Sequence, residues 1–196
     1  MSILITEEFQ FILMIKHKFI IFFIFISVSF AFADTYQSKK LDDLFNKLSK
    51  TKNYDNADIL EKKIWTVWNS HPSNKNLTDK LELGTELMYQ GSYEYALKVF
   101  TNIVKTDPSW SEGWNKRATL LFFMNEYQKS LNDIDKVLDI EPRHFGALSG
   151  RAQIFIALEE YQKAINDLKK AKKIHPKIKS NYLIIELEKL IKGLTI

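Results

Sequence analysis

The sequence predicts an all-α fold, a solenoid in which pairs of helices repeat along the chain. Three prolines recur at an interval of 34 residues, and each closes a segment with the same pattern, at Pro108, Pro142 and Pro176. A strict period of this length is typical of helical repeat arrays. The composition, with 6 glycines and 4 prolines in 196 residues, also argues against a sandwich or barrel, which needs many turns.

Each segment carries small residues where two helices can approach each other closely. The segments cover residues 77–110, 111–144 and 145–178. Their eighth and twentieth positions hold Gly84, Ala118 and Ala152, and Ala96, Ser130 and Ala164. Larger apolar residues flank these positions at spacings of three and four, which gives each helix one apolar stripe. Each segment is therefore predicted to be two antiparallel helices.

The turns agree with this prediction. Gly91 and Asn125 stand between the helical halves of their segments, where either residue can adopt the left-handed conformation that ends a helix. Pro108, Pro142 and Pro176 follow the second helices, because proline disfavours helical geometry in the residue before it.

The three segments closely resemble the tetratricopeptide repeat (TPR). The first reads LELGTELMYQGSYEYALKVFTNIVKTDP and matches the motif at Gly84, Gly91, Tyr93, Ala96, Phe100, Asp107 and Pro108. The others, WNKRATLLFFMNEYQKSLNDIDKVLDIEP and LSGRAQIFIALEEYQKAINDLKKAKKIHP, match almost as well. The resemblance implies a right-handed helical-repeat solenoid whose concave groove binds another protein.

The seventh position departs from the family pattern, which has leucine there. Arg117 and Arg151 occupy it in the second and third segments. Two explanations are open: a polar contact shared by neighbouring helices, or a long stem that covers apolar surface while its charge stays in water.

Residues 34–76 and 179–196 flank the three segments. Pro72 lies 36 residues before Pro108, two residues out of phase, so the first stretch is predicted to be a degenerate leading repeat. The second stretch has apolar residues at helical spacing, followed by Gly193 as a stop. We expect it to be the capping helix that an open repeat array needs.

Residues 1–33 are predicted to be a signal peptide whose true start is Met14. A basic stretch precedes an apolar run from Phe19 to Phe30, and Ala31-Phe32-Ala33 forms a cleavage site. The run is shorter than the ~20 residues of a membrane span. We therefore expect a soluble, exported protein of the bacterial periplasm after cleavage at Ala33. An uncleaved segment would instead anchor the chain in the inner membrane.

Charge is unevenly distributed along the chain, whose net charge is +4. From Arg143 onward, 11 basic residues stand against 5 acidic ones. Lys169, Lys170, Lys172 and Lys173 form either a solvated face or a weak contact for an anionic membrane surface. Nucleic acid is not an expected partner, because export removes the chain from the cytoplasm.

The sequence shows no combination of residues that points to catalysis, a metal or a cofactor. It has no cysteine and 4 histidines, of which His17 lies in the signal peptide. His71 and His175 precede prolines at helix ends, where an imidazole can meet the last carbonyls. No partner at metal-ligand spacing stands beside His144. Phosphate-loop, nucleophile-elbow and HExxH motifs are absent, so we expect no enzyme activity and no cofactor.

In the TPR family the first helix of each repeat lines the concave groove. The resemblance implies a groove lined by Leu81, Glu82, Thr85, Met88, Tyr89, Asn115, Lys116, Thr119, Phe122, Phe123, Ser149, Gln153 and Ile156. Polar groups that can bond a peptide backbone stand beside apolar ones in this set. Phe122, Phe123 and Tyr89 are expected to be the energetic anchors, unless their rings pack against the next helix.

The sequence thus predicts an adaptor or scaffold of the cell envelope that binds a segment of another protein in its groove. Asn115 and Lys116 alone resemble part of the carboxylate clamp of chaperone-binding TPR proteins, so clamp function is not expected. Two other interpretations are open. One is an assembly factor tethered to the membrane by an uncleaved N-terminal helix. The other is a self-associating structural protein, in which Trp110 and Trp114, or the capping helix, pair between copies.

Overall fold

The computed structural model describes residues 37–194, and the predicted signal peptide, residues 1–33, lies outside them. The chain divides into two units, residues 1–40 and residues 41–196. Of the first unit only residues 37–40 are described, and they are helical. The architecture below is that of the second unit, and residues 37–40 appear in it only as the first described residues of the first helix.

Three helix pairs form the centre of the described chain. The helices are α1 over residues 37–50, α2 over Tyr54–Asn69, α3 over Lys75–Tyr89, α4 over Tyr93–Thr106, α5 over Ser111–Phe123, α6 over Tyr127–Ile140, α7 over Phe145–Ala157, α8 over Tyr161–Ile174, a short 3₁₀ helix over Lys179–Asn181, and α9 over Tyr182–Leu194. The pairs α3/α4, α5/α6 and α7/α8 stack in order, each second helix against the next first helix. The predicted all-α repeat fold is confirmed.

The small residues of the repeat lie where the helices of a pair meet. A Cβ atom added to Gly84 in α3 would stand 2.6 Å from the Phe100 ring of α4. Ser130 in α6 is fully buried, and its hydroxyl donates to the carbonyl of Ala118 in α5 at 2.7 Å. At this separation a larger side chain would push the two helices apart, which explains the recurrence of small residues.

The turns inside the three pairs share one left-handed residue. Its φ angle is 77° at Gly91, 60° at Asn125 and 60° at Glu159. Gly91 and Asn125 tolerate this conformation well, whereas Glu159 adopts it at a cost of about 1 kcal/mol. The turn geometry of the repeat therefore persists in the third pair without the favoured residue.

The leading helices α1 and α2 do not extend the stack as a further repeat, which differs from the sequence prediction. Instead, α2 lies along the edge where the proline turns join successive repeats. Near its C-terminal end, the carbonyl of Trp68 accepts a hydrogen bond from the indole of Trp110, at 3.1 Å, and the Trp68 ring stacks on His144 at 3.9 Å. Nearer its N-terminal end, Glu61 pairs with His175 at 2.9 Å. One helix thus contacts all three turns.

Aromatic packing explains this position of α1 and α2. Phe45 of α1 and both Trp65 and Trp68 of α2 surround Phe145 at the start of α7, with ring centroids 5.1 to 6.4 Å apart. Aromatic side chains of this size bury large apolar areas. Their burial against α7 favours the edge over an end-on position against α3.

The C-terminal helix α9 packs on α8, where a capping helix is expected. Ile184 and Leu187 of α9 join the buried cluster that contains Ile165 and Leu168 of α8. Among the helices of residues 37–194, none combines the length and apolar character needed to cross a membrane.

Candidate functional site

The first helices of the three pairs, α3, α5 and α7, lie side by side and form one surface of the array, the groove face. All the predicted groove residues belong to these three helices, but not all of them are on this face. On α3, Glu82 and Tyr89 are exposed and Thr85 is half-buried. Tyr89 is 79% exposed, so nearly all of its ring is available to a partner.

Two predicted groove residues belong to the core instead. Leu81 and Met88 are 2% and 4% exposed, and they lie in the same buried cluster as Phe100 of α4. Because they are seven residues apart, both fall on the stripe of α3 that faces its partner helix. The prediction that they line the groove is wrong.

On α5 and α7 the predicted residues meet around a small pocket of about 100 Å³. Its lining includes Asn115, Thr119, Phe122, Phe123 and Gln153. The structure therefore brings together groove residues from two successive repeats.

The two adjacent phenylalanines have different environments. Phe122 packs against the buried cluster that contains Ile134 and Ile154. Of the two roles considered for its ring, groove anchor or core packing, the structure supports core packing. Phe123 is 46% exposed and stacks loosely on Tyr93, with ring centroids 6.5 Å apart. Phe123 therefore remains a candidate anchor, and its ring centroid lies 5.9 Å from that of Phe122.

Three further groove residues are less accessible than the sequence suggests. The Lys116 ammonium lies 3.4 Å from the Glu112 carboxylate and 5.9 Å from the centre of the Trp65 ring. Ser149 and Ile156 are half-buried. A partner on the groove face would meet mainly the second halves of α3 and α5 and the Gln153 side chain.

Histidines tie the edge of the array to acidic side chains. The backbone N–H groups of Ser73 and Asn74 donate to Nδ1 of His71, so the proton lies on Nε2, which donates to Asp107 at 2.7 Å. The expectation that His71 and His175 meet the last carbonyls of their helices is wrong, because both rings bind carboxylates.

The central pair, His144 and Glu112, is fully buried. The Ala147 N–H donates to Nδ1 of His144 at 3.0 Å, so Nε2 carries the proton and donates to Glu112 at 3.1 Å. Burial raises the pKa of the Glu112 carboxyl, but the His144 hydrogen bond and the Lys116 charge outweigh it and hold the pKa below its ordinary value. Within residues 37–194, no three His, Cys, Asp or Glu side chains gather in a way that could hold a metal ion.

Arg117 and Arg151 form ion pairs between the two helices of their own repeats. Nε and NH2 of Arg117 donate to Asp133 at 2.7 and 2.8 Å. Nε and NH2 of Arg151 donate to Asp167 at 2.6 and 3.0 Å, and its NH1 donates to Asp135 of the preceding repeat at 2.7 Å. Of the two explanations for the arginines, the structure supports the polar contact.

A second, larger cleft of about 490 Å³ lies between the second helices α4 and α6, and the sequence did not predict it. Its apolar lining is provided by Leu97, Trp114, Leu121 and Met124. The charged side chain of Arg117 also lines this α4/α6 cleft.

The tryptophans considered for self-association are engaged within the chain. Trp110 is buried, and the half-buried Trp114 donates its indole N–H to the carbonyl of Pro108 at 2.9 Å. The interpretation in which Trp110 pairs between copies is therefore wrong, because its ring is buried within the chain. The capping helix α9 does expose Tyr182 and Ile185.

The lysine cluster of α8 is only partly neutralised. Lys169 pairs with Glu188 of α9 at 2.8 Å, and Lys170 lies 3.5 Å from Asp167. Lys172 and Lys173 are exposed. A contact with an anionic membrane surface stays a prediction.

Comparisons with known proteins agree with this architecture. The sequence profile of the tetratricopeptide repeat family matches residues 146–178. No curated protein matches the chain as a sequence.

Solved TPR domains have a similar structure. The first TPR of Spaghetti (RPAP3), bound to the HSP90 peptide SRMEEVD, is similar at a TM-score of 0.57, with 18% identity over 60% of this chain and 94% of that chain. The TPR2B domain of yeast Sti1, in a complex with pHsp70, has a TM-score of 0.53 and 22% identity over 58% and 94%. The Sgt2 TPR domain from Aspergillus fumigatus has a TM-score of 0.58 and 14% identity over 62% and 83%. At these identities the similarity shows the fold.

Proposed function

We propose that this chain is a protein-interaction module that binds a segment of another polypeptide on its groove face. Residues 146–178 match the tetratricopeptide repeat family, and the array to which they belong has the TPR fold. The RPAP3 and Sti1 domains, which share the fold, are described as complexes with HSP90 and Hsp70 ligands. These complexes support a polypeptide as the kind of partner that this chain binds.

The observation that carries the proposal is the exposure of aromatic groups on the groove face. Tyr89 and Phe123 are 79% and 46% exposed and belong to neighbouring first helices. Thr85, Thr119 and Gln153 add polar side chains to the same surface. Aromatic anchors beside hydrogen-bonding groups suit the recognition of a peptide segment.

A carboxylate clamp is not part of the proposal. Asn115 and Lys116 are the only clamp-like pair, and both already bind within the protein. The Asn115 amide donates to Glu112 at 3.0 Å, and the Lys116 ammonium lies 3.4 Å from the same carboxylate. A terminal carboxylate of a partner would have to displace Glu112.

Affinity capture with matched variants tests the proposal. The full chain with a C-terminal tag is expressed in its own cells, and co-purifying proteins are identified by mass spectrometry. We expect the double variant Tyr89→Ala and Phe123→Ala to lose a specific partner that the unchanged chain retains. Tyr95→Ala on α4, where the native side chain is 66% exposed outside the groove face, is the control and should retain it. Equal capture by the double variant and the control would contradict the proposal.

We also propose that the protein is exported and works in the cell envelope, soluble after cleavage at Ala33. The basic start, the apolar run from Phe19 to Phe30 and the cleavage site support this proposal. Cell fractionation followed by N-terminal sequencing tests it. A soluble product that begins at Asp34 is expected, whereas a membrane-bound product with an intact N-terminus would favour the tethered alternative.

A further inference from the structure

The two junctions between successive repeats differ at the position that Asp135 occupies in the second of them. In the second junction, Arg151 spans two repeats, because it binds Asp167 in α8 and Asp135 in α6. The residue that corresponds to Asp135, 34 positions earlier, is Thr101 in α4. Threonine has no carboxylate, so the first junction has no acid at this position that could link α4 to α5, as Asp135 links α6 to α7.

The arginine of the first junction is left with unused hydrogen-bonding capacity. Within residues 37–194, the side-chain hydrogen bonds of Arg117 all go to Asp133. The corresponding Arg151 uses a third nitrogen, NH1, for the bond to Asp135. A guanidinium can donate five hydrogen bonds and binds carboxylates especially well.

An apolar cleft opens at the place where this acid is missing. The α4/α6 cleft of about 490 Å³ is lined by both Thr101 and Arg117. Leu97, Leu121 and the Trp114 ring provide its apolar walls, and Arg117 lies 4.9 Å from the centre of that ring. An incoming group would therefore meet an arginine and an apolar surface together.

The charges at the rim of the cleft favour an acidic occupant. Lys136 is exposed and forms no ion pair within the described chain, while Lys129 pairs with Glu126 at 3.1 Å. The remaining acid in the lining, Asp133, is already bound by Arg117. After these pairings an unpaired positive charge is left at the cleft, which attracts a carboxylate.

We propose that the α4/α6 cleft is a second docking site, for a partner segment that carries an aspartate or glutamate next to a bulky apolar side chain. The carboxylate takes the place that Asp135 occupies in the second junction and binds Arg117. The apolar side chain packs on Leu97 and Trp114. This site uses none of the exposed groove-face residues, so it does not depend on the proposed function of that face.

Selection from a displayed library of random 12-residue peptides tests the proposal on the full chain. We expect enriched peptides in which Asp or Glu neighbours Leu, Ile or Phe. Synthetic copies should bind at least tenfold more weakly when their acid is replaced by its amide. They should also bind at least tenfold more weakly to Thr101→Asp, because the new carboxylate binds Arg117 internally, as Asp135 binds Arg151.

Matched controls separate this site from the groove face. Asn102→Asp adds the same charge at the neighbouring exposed position and should leave peptide binding unchanged. Phe123→Ala should leave it unchanged as well, since that residue belongs to the groove face. Lys136→Glu, a surface variant, should also weaken binding. It tests the site if Thr101→Asp folds poorly. Failure to enrich any acidic-apolar peptide, or equal binding to Thr101→Asp and Asn102→Asp, would overturn the proposal.

Discussion

Single ion pairs recur at equivalent positions of the array. Arg117 with Asp133, and Arg151 with Asp167, join the two helices of successive repeats at 2.7 and 2.6 Å. Asp133 and Asp167 are both buried. Because a buried charge is costly without its partner, removing one member of either pair should destabilise the fold.

Removing the buried partner of Arg151 should cost far more than removing its exposed partner. We expect Asp167→Ala to lower the free energy of unfolding by about 3 kcal/mol, because it leaves a charge partly buried without its close partner. Asp135→Ala removes the exposed partner and should cost less than about 1 kcal/mol. Chemical denaturation followed by circular dichroism measures both. Equal losses would show that the pair with Asp167 has no special role.

Acid should weaken the contact between α2 and the edge of the array. The hydrogen bond from His175, above all, holds the pKa of the Glu61 carboxyl below its ordinary value. A carboxyl with a lowered pKa in the folded state stabilises the fold fully above its unfolded pKa of about 4.3. This stabilisation is lost as the pH falls through the lower folded value.

The pH dependence of unfolding checks this assignment. Between pH 7 and pH 3, the unfolding free energy of Glu61→Gln should fall less steeply at the acid end than that of the unchanged protein. Glu94→Gln, at an exposed position of α4, is the control and should follow the unchanged protein. If the unfolding free energies of all three proteins fell equally steeply at acid pH, the acid sensitivity could not be attributed to Glu61.

At the scale of helices, the position of α2 depends on a close approach to α7. A Cβ atom on Gly146 would stand 2.5 Å from the Trp65 ring, which is closer than two carbon atoms can come without displacement. Gly150, one turn later in the same helix, has nothing within 4 Å of such an atom. The two glycines therefore have different roles in one helix.

Replacing each glycine by alanine separates these roles. We expect Gly150→Ala to raise the unfolding free energy by about 0.5 to 1 kcal/mol, the helix-propensity gain of alanine over glycine. Gly146→Ala should lower it by about 1 to 3 kcal/mol, because the added methyl group displaces Trp65. Thermal unfolding and tryptophan fluorescence measure the two effects. Stabilisation by Gly146→Ala would mean that α2 does not pack as described.

The sequence predicts helices well where a local rule determines them. The period of 34 residues and the small residues at Gly84 and Ser130 were sufficient to predict the three pairs. The position of α2 escaped prediction because its partners are remote in sequence. Glu61 and His175, for example, are 114 residues apart. The only local signal was that His71 and His175 each stand beside a proline that ends a repeat segment.

At the scale of the array from residue 41 onward, the groove face and the α4/α6 cleft are separate surfaces. The family resemblance assigned Tyr89 and Phe123 to the groove face, where both are exposed, but it assigned the buried Leu81 and Met88 there as well. It could not separate them, because the resemblance assigns positions along a helix and not the exact rotation of that helix in this array. The cleft was not predicted, since the repeat pattern gives no signal for Thr101, which stands in the first junction where the second junction has Asp135.

Site-specific photo-crosslinking in living cells tests whether the groove face binds another polypeptide. A photoreactive phenylalanine analogue is placed at Phe123 in one variant and at Tyr95 in another. We expect discrete crosslinked products with another polypeptide from position 123 and none from position 95, which is exposed on α4. Absence of products at position 123, or the same products at both positions, would contradict this proposal.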